Sequence, residues 1–147
     1  MRPVRVDADG NCMFSAATVG AMINDGRLSA SGMMSEDDHT NVRNNALRLR
    51  EEVVDFIQDN KNDFVPFIAD DFDAYVQEMR KPDTWGGEAE LSAIAEVQGC
   101  AVHVYEHTEG ALRVYQSYAP RLRLDARNEI CLLFDFAQRH YYALLRE

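Results

Sequence analysis

The hydrophobic period of this chain changes once, at Gly99, and the change divides a helical part from a strand part. Before it, apolar residues return at helical spacing. Val42, Ala46, Leu49, Val53, Phe56 and Ile57 form the longest such series, threaded through charged residues as in an amphipathic helix with one face in a core. Ser35 stands three residues before Asp38, the spacing of an N-terminal capping pair. Further helices are predicted from Cys12 to about Ile23, from Asp70 to Met79, and after Trp85-Gly86-Gly87, the last with Leu91, Ile94, Ala95 and Val97 inward. Asn60 to Asp63 ends the long helix, and Phe64 to Ile68 reads as a connector. From Cys100 the alternation is that of strands. Cys100–Tyr105 and Ala111–Tyr118 flank a turn at His107–Gly110, and Glu129–Phe134 and His140–Leu145 are two more strands. Helices first and strands last, without an internal repeat, predict an α/β (α+β) domain with helices packed on a small central β-sheet.

At 147 residues and 46% hydrophobic, the chain fits one domain over 1–147. It has no apolar run long enough to span a bilayer and no apolar stretch after Met1 of the kind that opens a secretory signal. Three cysteines without a CxxC pair argue against a disulfide framework and agree with a reducing compartment, so the expectation is an intracellular, cytoplasmic monomer. Cys100 and Cys131 lie in strand-like runs, as small buried hydrophobes do. His39, His103, His107 and His140 have no ligand spacing, and neither a metal nor an organic cofactor is expected.

The formal charge of −10 speaks against nucleic acid as a partner, since phosphate binding draws on clustered Lys and Arg. Residues 35–90 alone hold fifteen Asp and Glu against six Lys and Arg. That is first a solvated helical surface and second a docking face for a basic partner.

Asp9-Gly10-Asn11-Cys12 sets a cysteine where a small-residue turn becomes an apolar, helix-forming run. A helix N-terminus favours the thiolate, and a neighbouring imidazolium favours it further. Gly10 opens backbone angles closed to other residues, so that the loop N–H groups of Gly10, Asn11 and Cys12 could converge as an oxyanion hole. The base must come from elsewhere in the chain, because thiol hydrolases join cysteine and histidine in space. His140, at the start of the last strand, is the candidate. Trp85 is expected to anchor the Gly86-Gly87 turn against the core.

Three ordered segments together resemble the OTU (ovarian-tumour) cysteine proteases, most of which remove ubiquitin from proteins. They are Asp9-Gly10-Asn11-Cys12 with Phe14, Trp85-Gly86-Gly87-Glu88 with Glu90-Leu91, and His140-Tyr141. The resemblance implies a papain-like layered fold, Cys12 as nucleophile, His140 as general base and Asp9 as the acidic residue of the cysteine loop. It implies ubiquitin, polyubiquitin or a ubiquitin-like protein as partner, to whose basic tail an acidic channel is suited. Because the motifs begin and end close to the chain's ends, the sequence also reads as a catalytic domain trimmed from a longer protein. One position departs from the pattern. The family commonly has Asn or Asp two residues after the histidine, on the same strand face, and here that residue is Tyr142. The group that orients the imidazole is then an aspartate near the motifs, Asp9 ahead of Asp7, with Asp135 and Tyr142 as alternatives, or a dyad works without one. An inactive ubiquitin-binding relative and a hydrolase acting on another modifier or acyl substrate are the competing readings.

Overall fold

The computed structural model describes residues 1–69, 71–121 and 128–146. In chain order the elements are β1 (Arg2–Val4), α1 (Cys12–Asn24), α2 (Glu36–Asp59), α3 (Lys61–Phe64), a 3-10 turn (Val65–Phe67), α4 (Phe72–Met79), α5 (Glu88–Gln98), β2 (Ala101–Thr108), β3 (Ala111–Tyr118), β4 (Glu129–Asp135) and β5 (His140–Leu145). The strands form one mixed sheet in the order β1-β5-β4-β2-β3, in which only β2 and β4 run parallel. The predicted layered α/β arrangement is the one found. Strand alternation sends Val102, Val104, Ile130, Leu132, Tyr141 and Ala143 into the core shared with the helices. The other sheet face carries a small cluster of its own, Cys131, Leu133 and Leu144 with Tyr105, Leu112 and Tyr142 against it.

α2 begins as its sequence requires. Ser35 accepts the N–H of Asp38 and Asp38 accepts the N–H of Ser35, a reciprocal cap that satisfies two otherwise orphaned donors. Its buried stripe is Val42, Ala46, Leu49, Val53, Val54 and Ile57, interrupted by one charged residue, Arg50. Asn60 caps the end of α2 as expected, and a short α3 and the 3-10 turn follow in place of a plain connector; Phe64 is thereby buried, edge-on to Phe56 at 5.9 Å between centroids. The predicted start of the next helix, Asp70, lies outside the described residues, and Asp71 caps α4 by accepting the N–H of Asp73. Gly99 ends α5 with φ +67°, the left-handed conformation that a glycine adopts without a Cβ penalty.

β1 went unseen in the sequence, being only three residues long at the sheet edge. It matters for the site. Pairing of Arg2 with Leu145 and of Val4 with Ala143 runs β1 antiparallel to β5, so the chain leaving Val4 heads toward the beginning of β5, where His140 stands. α1 packs on β4 and β5 immediately beneath.

Replacing Ser35 by Ala removes the reciprocal cap and is expected to lower unfolding free energy by about 1 kcal/mol, read from the urea midpoint at unchanged slope.

Candidate functional site

Cys12 is the first residue of α1 and its side chain is completely covered, lying against the backbone N–H of Tyr141. Two opposing influences act on the thiol. Burial raises its pKa above the ordinary 9.0 and is the larger, with the charge of Asp9 adding to it, while the N–H groups of Tyr141, Met13 and Cys12 pull the other way. His140, 4% exposed, is held below the ordinary 6.5 by burial first and by Arg5 second, with Asp135 and Asp9 opposing. Burial thus favours the neutral form of both the thiol and the imidazole. The Nε2 of His140 is buried without a hydrogen-bond partner, and the ring lies edge-on to Tyr142 at 4.6 Å between centroids.

The cysteine loop is tied to itself through Asp9. Its Oδ1 accepts the N–H of Asn11 at 2.9 Å and its backbone oxygen accepts the N–H of Cys12 at 3.2 Å. Two of the three expected oxyanion donors are therefore engaged at rest; the third, at Gly10, meets no acceptor among the described residues. Gly10 itself is needed for a different reason than its backbone angles. It is not among the positive-φ positions, and a Cβ there would stand 1.8 Å from the carbonyl oxygen of Asp83. The cysteine loop and the loop before α5 press together with no room for a side chain.

Arg50 holds those loops, and sequence reasoning missed it, since an arginine within a charged helix reads as solvated. It is 1% exposed. Nε donates to Asn11 Oδ1 at 2.9 Å, Nη1 to the carbonyl of Met79 at 3.0 Å, and Nη2 to the carbonyls of Gly10, Pro82 and Thr84 at 3.1, 3.1 and 2.8 Å. The guanidinium carbon sits 4.4 Å from the centre of the Phe14 ring. The only available signal was register: position 50 follows Leu49 and precedes Val53, on the apolar stripe itself.

Glu90 is the second buried charge-bearing residue, 0% exposed. Its Oε1 accepts the N–H of Gly87 at 2.7 Å and its Oε2 the hydroxyl of Tyr75 at 2.5 Å. Burial raises its carboxyl pKa, against the bonds from Tyr75 and Gly87 and the charge of Arg50. The Trp85-Gly86-Gly87 turn is therefore anchored by Arg50 and Glu90. Trp85, 50% exposed, does not anchor it, and the close approach of Met13 to Gly86 leaves no room there for a side chain.

Of the acidic candidates, Asp7 is paired with Arg43 at 2.6 Å on α2 and does not join the site. Asp9 binds the loop, as above. The Tyr142 hydroxyl donates to Gln138 Oε1 at 3.2 Å and so does not meet the imidazole. Asn11 turns its side chain toward Arg50, its Oδ1 accepting the Nε–H of that residue. Cys100 and Cys131 are buried as expected, and His107 is exposed.

A sequence profile described as OTU-like cysteine protease matches residues 7–143. Over 102 residues the chain is 30% identical to an ovarian tumor domain-containing deubiquitinating enzyme 4 of Arabidopsis thaliana, covering 69% of this chain and 30% of that protein. Over 114 residues it is 30% identical to the ubiquitin thioesterase otu2 of Schizosaccharomyces pombe, covering 73% and 33%. The chain thus spans about a third of the length of these curated relatives. Among solved structures, the OTU domain of OTUD1 superposes with a TM-score of 0.71 at 21% identity, covering 96% of this chain and 83% of that one. An OTU domain in complex with ubiquitin gives 0.63 at 22% identity, covering 96% and 67%.

Arg50→Leu leaves the carbonyls of Gly10, Met79, Pro82 and Thr84 without their donor and is expected to cost at least roughly 2 kcal/mol of stability. Arg50→Lys, a point charge unable to span the fork, should recover only a fraction. Denaturant unfolding of both variants checks the order.

Proposed function

The chain belongs to the OTU-like cysteine proteases, and from that membership we propose that it is a deubiquitinase, hydrolysing isopeptide or peptide bonds after the C-terminal glycine of ubiquitin or a ubiquitin-like modifier. The observation that carries the reading is a cysteine at the first turn of α1 lying against the backbone of Tyr141, the residue that follows His140 at the start of β5. Relatives named as deubiquitinating enzyme and ubiquitin thioesterase support it, as do OTU domains solved with ubiquitin bound.

His140, neutral at rest, takes the thiol proton of Cys12 as the sulfur attacks the glycine carbonyl carbon. The tetrahedral oxyanion is held by loop N–H groups of Gly10, Asn11 and Cys12. As the C–N bond breaks, His140 returns a proton to the leaving amine, and water, deprotonated by the same imidazole, then releases the modifier's carboxylate from the thioester. Asp9 serves as the acid of the cysteine loop. Its hold on the Asn11 N–H keeps that donor occupied until a substrate tail enters, so the loop opens as it binds. Three free cysteines support a reducing compartment within the cell.

A second reading, a modifier-binding relative that does not cut, is favoured by the covered thiol and by Tyr142. Covalent capture by a ubiquitin probe with a C-terminal electrophile separates the two. The expected result is an adduct that is lost in Cys12→Ala and strongly slowed in His140→Ala. Binding without any adduct would establish the non-cutting relative, and labelling of Cys12 by a small thiol reagent alone would point to another modifier or acyl substrate.

The pH dependence follows from the two neutral groups. Neutral imidazole is the working form and burial holds it below 6.5, so kcat/KM is expected to rise with pH through a midpoint under that value. The buried thiol stays protonated past 9.0, so no falling limb is expected below about that pH. A bell centred near neutrality would identify a preformed thiolate–imidazolium pair instead.

A further inference from the structure

Of the groups that could orient the histidine of the proposed reaction, Tyr142, Asp7 and Asp9 are engaged elsewhere, and the β4–β5 register leaves Asp135 opposite it. The hydroxyl of Tyr142 is bonded to Gln138, Asp7 to Arg43, and Oδ1 of Asp9 to the Asn11 N–H. Register pairs Asp135 of β4 directly with His140 of β5, and Leu133 with Tyr142. Directly opposed residues of an antiparallel pair share a face, with Cβ atoms about 4.5–5.5 Å apart. Phe134 and Tyr141 turn the other way and stack tilted at 4.7 Å, which fixes the alternation. Asp135, His140 and Tyr142 are therefore neighbours on one face.

We propose that Asp135 is the positioning residue for His140, its carboxylate facing the imidazole across the β4–β5 pair and taking the role that Tyr142 leaves open. Its direction is set by the turn. Oδ1 accepts the N–H groups of Ala137 and Gln138 at 2.9 and 3.2 Å, an arrangement that holds the carboxylate still and keeps Oδ2 out of the turn's bonds. Arg139, at φ +52°, closes the turn immediately before His140. The Tyr142 ring packs edge-on against the imidazole and limits its swing, and the carboxylate stabilises the imidazolium that forms as Cys12 gives up its proton. Charged and titratable groups facing the imidazole are Arg5 from the segment after β1, Asp9 from the cysteine loop, Asp135 from β4 and Tyr142 from β5. Of the two carboxylates, Asp135 acts on it more strongly than Asp9, and Arg5 opposes both.

This assignment rests on His140 being the base, and the test keeps the two apart. Asp135→Asn retains the turn's acceptor and removes only the charge. Titration of the His140 imidazole by NMR in the free protein, with the resonance assigned by its loss in His140→Ala, needs no substrate. The midpoint is expected to fall in Asp135→Asn and to fall less in Asp9→Asn. On a ubiquitin-derived reporter, Asp135→Asn should lower kcat at least about tenfold with KM and unfolding midpoint unchanged, and adding Tyr142→Asn should restore most of the loss. An unmoved midpoint with native kcat in Asp135→Asn, or a larger shift in Asp9→Asn, would overturn the assignment. A native chain inert toward the reporter whose imidazole still answers to Asp135 would sink the deubiquitinase reading and leave the pairing standing.

Discussion

One buried guanidinium organises the site. Arg50 reaches from the middle of α2 to the cysteine loop, the end of α4 and the loop before α5, three segments with no regular pairing to each other. A fork of five N–H donors is the one side chain that can satisfy so many carbonyls from a single position. The charge is expensive to bury, and among the described residues no carboxylate bonds to it; carbonyl dipoles, the face of Phe14 and the nearby Glu90 offset the cost. Because the Gly10 carbonyl is one of its acceptors, the backbone just ahead of Cys12 is set by a residue nearly forty positions away. The missing Cβ at Gly10 lets the loops meet closely enough for one arginine to bridge them.

The same burial decides the chemistry at rest. A helix N-terminus is worth about 0.3–1 kcal/mol to an anion, whereas desolvation of a covered group shifts a pKa by as much as several units, each about 1.36 kcal/mol. At Cys12 desolvation wins, and three backbone N–H groups only moderate it. The result is a thiol whose neutral form is favoured, in a loop whose own aspartate accepts two of its N–H groups.

Much of the fold was legible. The α1, α2, α4 and α5 helices and the strands β2 to β5 fall close to where periodicity, the Ser35 cap and Gly99 place them, because local propensity and burial agree there. β1 was missed because three residues carry no period, and α3 because Asn60 to Asp63 has turn composition, yet Phe64 gains burial by continuing the helical path. Trp85 was misjudged because aromatic rings usually anchor, whereas here the turn is held by Arg50 and Glu90 and the ring is half exposed.

The sequence by itself determined the layers, the place of Cys12 at a helix start, the place of His140 at a strand start and the family, since each depends on neighbours in the chain. Tertiary structure alone decided what those residues feel. Which aspartate faces the imidazole depends on strand register. Whether the thiol is charged depends on what covers it, and whether an arginine is surface or linchpin depends on which loops fold over it. Register and packing decide them: Asp135 and His140 are opposed by the register of the short β4–β5 hairpin, and Arg50 and Gly10, forty residues apart, meet only when α2 packs beneath α1.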